Sequence, residues 1–374
     1  MRICLLTRLL LVMCLLTLSG TGLQAQVHEG DARPAVASAA IVAREAADDA
    51  SHANAGVDLF EAPLVPFVPP PDPLAGMHIA SSPERSADFV VLISIDGLRA
   101  DAVTPANHTL ARLRNEGTWA TDAMTIHRST TLPSHASMVT GVDLPVHGMA
   151  WNAYRPSQGV VRFPTMFRVA RMAGLATTMV VGKNKLRHLV DEGGAENFII
   201  AGRGCDQIVS RASTVLRTGG PGIVFLHFAD TDQAGHRHGW MSQPYLAAVE
   251  HADQCTERVV DTLSHRAGGL ARVLLIVTSD HGGHRRSHGS ASEVDRHIPW
   301  YAWGGAAARD TRVTRRVNTQ DTASTILSAL GLPQTPGIEG RPVVEALHES
   351  GSAALAERTT RRRGARTARA APQH

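Results

Sequence analysis

Three observations predict an α/β fold with a largely parallel central sheet flanked by helices on both faces. Four largely apolar runs, Phe89 to Ile95, Ala176 to Val181, Gly222 to Phe228 and Val273 to Val277, read as strands buried on both sides. Helical patterns alternate with them at Ala106 to Glu116, Pro164 to Ala173, Asp206 to Arg217 and Pro244 to Leu263, as parallel sheets require. A further helix from Thr319 to Leu330 stops at Gly331, with Pro333 beyond. Three of the strands then run out into acidic turns, and in such sheets ligands collect at the carboxyl ends.

The rest of the 374-residue chain is organised around that domain, expected over residues 88–350. A content of 43% apolar and 19% charged residues excludes a disordered polyampholyte and a polytopic membrane protein. Residues 1–25 carry Arg2 and Arg8, a short apolar run and Ala25, the pattern of an export signal too short to span a membrane. A periplasmic or secreted protein with no membrane span after cleavage is therefore expected. Residues 26–87, with Pro63, Pro66, Pro69, Pro70, Pro71 and Pro73, read as a linker or loosely packed arm.

Residues 351–374 hold six arginines against Glu357 and read as a basic disordered tail. Of the formal net charge of +3, the leader takes +2 and the tail +5, leaving −4 on residues 26–350. The basic balance belongs to the tail, and no specific nucleic-acid binding is expected. Once Cys4 and Cys14 leave with the leader, Cys205 and Cys255 remain; they form a candidate disulfide, with two buried thiols as the alternative.

The chemistry sits at the strand ends. The first run leads into Ser94-Ile95-Asp96-Gly97, the third into Asp230-Thr231-Asp232 and the last into Ser279-Asp280-His281-Gly282. Histidines accompany these acids at His236, His281, His284, His288 and His297. Oxygen and imidazole donors without thiolate suit Zn²⁺, Mn²⁺ or Fe, with Zn²⁺ the commonest outcome for a histidine-rich exported site. Asp232 and His236, four apart, share a face if a helical turn begins there. Between the first two strands, Ser129-Thr130-Thr131-Leu132-Pro133-Ser134-His135 leads a hydroxyl-rich turn into a short helix, whose amino end favours an anionic substrate. Thr131 is then either a nucleophile activated by a dication or a helix cap.

Taken in order, these segments resemble the alkaline phosphatase superfamily, in particular its nucleotide pyrophosphatase/phosphodiesterase-like branch, over roughly residues 88 to 345. The matching segments are Ser94-Ile95-Asp96-Gly97, Thr131-Leu132-Pro133-Ser134-His135, His147-Gly148 with Asn152, Asp232 with Gly235-His236, and Ser279-Asp280-His281-Gly282. The resemblance implies an alkaline-phosphatase-like catalytic domain with two divalent metal ions, Zn²⁺ foremost. It implies that Asp96, Thr131, Asp280 and His281 hold the metal beside the nucleophile. Asp232, His236 and a later histidine would hold the other; His288 is chosen because it precedes Gly289, ahead of His284 and then His297. Asn152 is expected to donate to a phosphoryl oxygen. Leu132 and Ser134 stand where the family has an aromatic residue and an asparagine, which bears on the shape of the substrate slot.

The expected activity is phosphodiester hydrolysis of a small phosphoester through a phospho-threonine at Thr131. Lys183, in Gly182-Lys183-Asn184-Lys185, follows the second strand and resembles part of the Lys-x-Arg pair of superfamily phosphomonoesterases, so monoester hydrolysis is the alternative. A sulfatase is excluded, because threonine cannot become formylglycine. A catalytically silent phospho-ligand-binding protein is the second alternative. The oligomeric state is left open.

Overall fold

A computed structural model describes residues 72–348. The expected leader, most of the arm and the tail from 351 onward lie outside the described residues. In chain order the elements are β1 (Phe89–Ile95), α1 (His108–Glu116), β2 (Thr118–Ala120), β3 (Ala123–Met124), α2 (Thr131–Thr140), α3 (Leu144–His147), α4 (Met166–Met172), β4 (Ala176–Val181), β5 (Asn197–Ile200), α5 (Cys205–Thr218), β6 (Gly222–Phe228), α6 (Asp230–His238) and α7 (Gln243–Ser264). They continue with β7 (Val273–Thr278), α8 (Glu293–Arg296), β8 (His297–Ile298), β9 (Trp300–Trp303), β10 (Thr311–Val313), β11 (Val317–Asn318) and α9 (Asp321–Ala329).

Eight strands form the main sheet in the order β10-β2-β9-β7-β1-β6-β4-β5. The five from β7 to β5 are mutually parallel. Only β9 breaks the direction, pairing antiparallel with both β7 and β2. β1 lies between β6 and β7, with Phe89 opposite Gly222 on one side and Val273 on the other. A small sheet, β11-β3-β8, lies apart from it.

The apolar runs form strands because both of their faces are covered. Val90 and Leu92 enter one core, with Met138 of α2, Phe167 of α4 and Ile326 of α9. Val91, Ile93 and Ile95 enter the other, with Leu110 of α1, Ile208 of α5 and Val259 of α7, as the twofold side-chain alternation of a strand demands. Each such side chain contributes roughly 1.5–3 kcal/mol by leaving water, so the central strands are a firm base for whatever their ends carry.

Two connections extend this frame. Residues 72–87, the end of the proline-rich arm, pack on the first core through Leu74 and Ile79. They are tied by an Asp72–Arg168 ion pair and by the Ser82 amide, which donates to the Gly331 carbonyl. Cys205 and Cys255 are disulfide-bonded and join α5 to α7, which resolves the choice between a bridge and free thiols.

Candidate active site

The carboxyl ends of β1, β6, β7 and β4 bring together Asp96, Asp232, Asp280, His281 and Lys183, and the start of α2 adds Thr131. Asp96 follows β1 directly, and Asp280-His281 follow β7 after Ser279. Asp232 sits in the first turn of α6, where a carboxylate is favoured by the unpaired amides. The predicted helical spacing holds there: Asp232 Oδ1 is 3.3 Å from His236 Nε2. Thr130, and not Thr131, occupies the cap position of α2. Thr131 Oγ1 instead lies 3.4 Å from His281 Nε2 and 3.5 Å from Lys183 Nζ.

The three acids share a pattern: one oxygen of each is engaged and the other is buried without a hydrogen-bond partner. Asp96 Oδ2 accepts from Lys183 Nζ (2.7 Å) and pairs with His227 Nε2 (2.9 Å). Asp232 Oδ2 accepts from Lys183 Nζ at 2.5 Å, and Asp280 Oδ1 accepts from the Gly97 and His281 amides. The orphans are Asp96 Oδ1, Asp232 Oδ1 and Asp280 Oδ2. A buried carboxylate oxygen with no partner is costly unless a cation or proton serves it.

The histidines face those orphans with lone pairs. Nδ1 of His281, His236 and His288 lies against the carbonyls of Gly282, Arg286 and Ser129, at 2.8, 3.0 and 2.9 Å. A carbonyl can only accept, so each Nδ1 carries a hydrogen, and in the neutral ring Nε2 is left as a donor of electrons, the arrangement that orients metal-ligating histidines. Burial lowers His236, but Asp232 beside it outweighs burial and raises that ring. His281 Nε2 lies 3.4 Å from Asp96 Oδ1 and 3.3 Å from Asp280 Oδ2. His288 Nε2 lies 3.6 Å from Asp232 Oδ1. Two groups able to hold a cation result, Asp96 with Asp280 and His281, and Asp232 with His236 and His288. The His281 and His288 rings stack across them at 3.7 Å. His284 is turned away to Asp295 (2.7 Å), and His297 pairs opposite Met124 in the small sheet.

Charge in this cluster is set by burial and by one lysine. Burial and neighbouring Asp96 push the Asp280 carboxyl well above the ordinary range. Burial also raises Asp96 and Asp232, but Lys183 together with His227 at Asp96, and Lys183 together with His236 and His288 at Asp232, outweighs it and holds both below that range. Lys183 is itself pushed up, because Asp232, Asp96 and Asp280 outweigh its own burial. Burial lowers His281 and, with His281 beside it, His288, which keeps both rings neutral and fit to ligate.

Further residues complete the surroundings. Asn152 Oδ1 accepts from the Leu132 amide (2.9 Å) and from Lys185 Nζ (3.2 Å), which places it beside the start of α2. Lys185 therefore supports Asn152, while Lys183 lies among the acids. Two residues that sequence reasoning did not single out as site residues, His227 and His135, lie behind the cluster. His227 holds Asp96, and His135 links the Thr131 carbonyl (2.7 Å) to Ser94 (2.8 Å). The signal for His227 was a histidine inside the otherwise apolar run of β6.

A parallel sheet whose carboxyl edge gathers two acid-and-histidine groups before a hydroxyl at a helix start defines an alkaline-phosphatase-like protein. The chain belongs to the type I phosphodiesterase / nucleotide pyrophosphatase family, whose profile matches residues 90–171 and 183–303, more than half of its length. It is 26% identical over 308 residues to the human "GPI ethanolamine phosphate transferase 2, catalytic subunit", covering 75% of this chain and 31% of that protein. The chain spans no more than about a third of the curated relatives it matches most clearly. Murine ectonucleotide pyrophosphatase/phosphodiesterase 5 shares the fold with a TM-score of 0.57 at 15% identity, over 69% of this chain and 100% of that one. A second structure of that murine protein, an inactive threonine-to-alanine variant in complex with AMP, has a TM-score of 0.56 at 14% identity, over 66% and 95%. An alkaline phosphatase superfamily protein from Vibrio parahaemolyticus has a TM-score of 0.56 at 17% identity, over 82% and 79%.

Proposed function

We propose that this chain hydrolyses small phosphoric diesters at a centre of two divalent cations, Zn²⁺ foremost, with Thr131 as nucleophile. The observation that carries the proposal is the set of three orphaned, buried carboxylate oxygens facing three imidazole lone pairs. Asp96, Asp280 and His281, with Thr131 beside them, would hold one cation, and Asp232, His236 and His288 the other. Bound there, such ions supply positive charge to phosphoryl oxygens and make a threonine alkoxide accessible near neutral pH.

The protein's own groups supply position. The first turn of α2 and the neighbouring His281 fix Thr131 Oγ1 for in-line attack. The Thr131 Oγ–P bond forms as the bond to the leaving alcohol breaks, and water later releases phosphomonoester from Thr131. Asn152 has its carbonyl end committed to the Leu132 amide and Lys185, which leaves its NH₂ for a phosphoryl oxygen. A threonine needed for activity in the murine neighbour, whose threonine-to-alanine variant is inactive, supports a working threonine at such a site. The Cys205–Cys255 bridge and the leader-like first 25 residues support a periplasmic or secreted location.

Monoester hydrolysis is the second reading, favoured by the approach of Lys183 Nζ to within 3.5 Å of Thr131 Oγ1. The test is kcat/KM for bis-p-nitrophenyl phosphate against p-nitrophenyl phosphate, before and after chelation, in wild type and Thr131→Ala. Chelation should abolish turnover, and Thr131→Ala should lower kcat by several orders of magnitude with metal content unchanged. A Thr131→Ala enzyme with near-normal turnover refutes the mechanism, and a strong monoester preference refutes the substrate class.

A further inference from the structure

A second cluster of ligating side chains lies away from the acids, where α5, α6 and α7 meet. The face of α6 that carries Asp230, Gln233 and Arg237 lines a cleft of about 320 Å³ with Arg203, Gly204 and His251. The cleft wall at His251 leads to the Cys205–Cys255 bridge: both ring nitrogens of His251 lie 3.8 Å from Cys205 Sγ. The donor atoms of Cys205, His251 and Cys255 all fall within 4.8 Å of one another.

The surroundings exceed what a structural bridge needs. His251 Nε2 pairs with Asp206 (2.9 Å), which leaves Nδ1 facing Asp230 at 3.6 Å. A carboxylate on one ring nitrogen is what orients the other toward a metal. Cys205 opens the 14-residue helix α5, and Arg258 Nη2 lies 3.3 Å from Cys255 Sγ. A helix amino end and a guanidinium both favour thiolate over thiol. Two thiolates with an imidazole select zinc among common divalent ions, and a carboxylate completes its usual four donors.

We propose that reduction of the Cys205–Cys255 bridge converts this cluster into a zinc site, held by Cys205, Cys255 and His251 Nδ1 with Asp230, the carboxylate facing that nitrogen, as the fourth donor. A dithiol reductant breaks the S–S bond, delivers two electrons and two protons to the two sulfurs, and is itself oxidised to its disulfide. Zn²⁺ then displaces both protons from the cysteines. Disulfide formation by an oxidant runs the sequence backwards and expels the ion. The same three side chains thus serve a metal-loaded form where thiols persist and a covalent bridge where they do not.

The test titrates the chain from residue 26 onward, free of Cys4 and Cys14, with Co²⁺, oxidised and after reduction with a phosphine. Oxygen and nitrogen sites give no thiolate-to-cobalt charge-transfer band, so that near-ultraviolet band reports this cluster separately from the sheet edge. One equivalent should develop it in the reduced protein and none in the oxidised protein. Cys255→Ser, which leaves one thiolate of two, should cut the band at saturation by about half, and His251→Ala should weaken cobalt binding about tenfold or more. A reduced chain without the band, or a band left unchanged by Cys255→Ser, overturns the proposal. If reduction unfolds the chain, Zn²⁺ should restore the native circular dichroism, and a chain that stays unfolded with Zn²⁺ counts equally against it.

Discussion

His147 is expected to make the protein acid-sensitive in the window between its ordinary pKa of 6.5 and about 4. Fully buried at the end of α3, its Nδ1 accepts from the Met149 amide (3.1 Å), so Nε2 carries the hydrogen and donates to Ser137 Oγ (3.0 Å). Burial lowers its pKa from the ordinary 6.5 to about 4. Because the folded value lies below the unfolded one, the stabilisation is complete above pH 6.5 and is lost as pH falls through the window to about 4. At about 1.4 kcal/mol per pH unit, the full loss is about 3 kcal/mol, a large share of a typical domain stability. Protonation also puts a hydrogen on Nδ1 against the Met149 amide, at the base of the loop that delivers Asn152. The assay is urea unfolding from pH 8 to pH 4 for wild type and His147→Asn, whose Oδ1 keeps the acceptor without titrating. The variant should lose about 1 kcal/mol at pH 8 with its Ser137 hydrogen bond, yet fall by up to about 3 kcal/mol less than wild type on acidification. Parallel pH curves for the two proteins would refute the assignment.

Other expectations follow from the same geometry. Lys183→Met should destabilise the metal-free protein by about 3–5 kcal/mol, the usual cost of stripping one partner from a buried ion pair. It should also tighten zinc binding, because Nζ no longer occupies Asp96 and Asp232; an unchanged melting temperature with weaker zinc binding would contradict this. His288→Ala should lose about half the bound metal and His284→Ala should keep it, as measured by atomic absorption, and the reverse result would reassign the ligand. Gly283→Ala should cost about 1–3 kcal/mol in thermal unfolding, since a Cβ there would lie 2.2 Å from the Trp240 indole, which packs on His236. An unperturbed melting curve would show that the indole can move.

The legible parts of the fold were those with strong one-dimensional signals. The four apolar runs became β1, β4, β6 and β7 within a residue, and the amphipathic stretches became α1, α4, α5, α7 and α9 within a few. The antiparallel β9 escaped notice because Trp300–Trp303 is four residues long and owes its place to pairing with β7 and β2. The clustering of Asp96, Asp232 and Asp280 followed from their positions after strands. The support behind them did not, because the contacts of His135 and Lys185 depend on distances across the fold. The choice among His284, His288 and His297 rested on a neighbouring glycine; in the structure His288 lies with Asp232 and His236, and His284 pairs with Asp295.

The arrangement of the central strands bears on how the protein is made. Phe89 pairs with Gly222 and Val273, partners 133 and 184 positions along the chain, so the three acids meet only after two very long loops have closed. Such closures are slow, and the mutual repulsion of Asp96, Asp232 and Asp280 is first felt when they are complete. Nascent intermediates are thereby spared the repulsion within this acidic cluster. Cations recruited there act on a structure already past its folding barrier, so they should lengthen the lifetime of the native state while leaving the speed of its formation nearly unchanged.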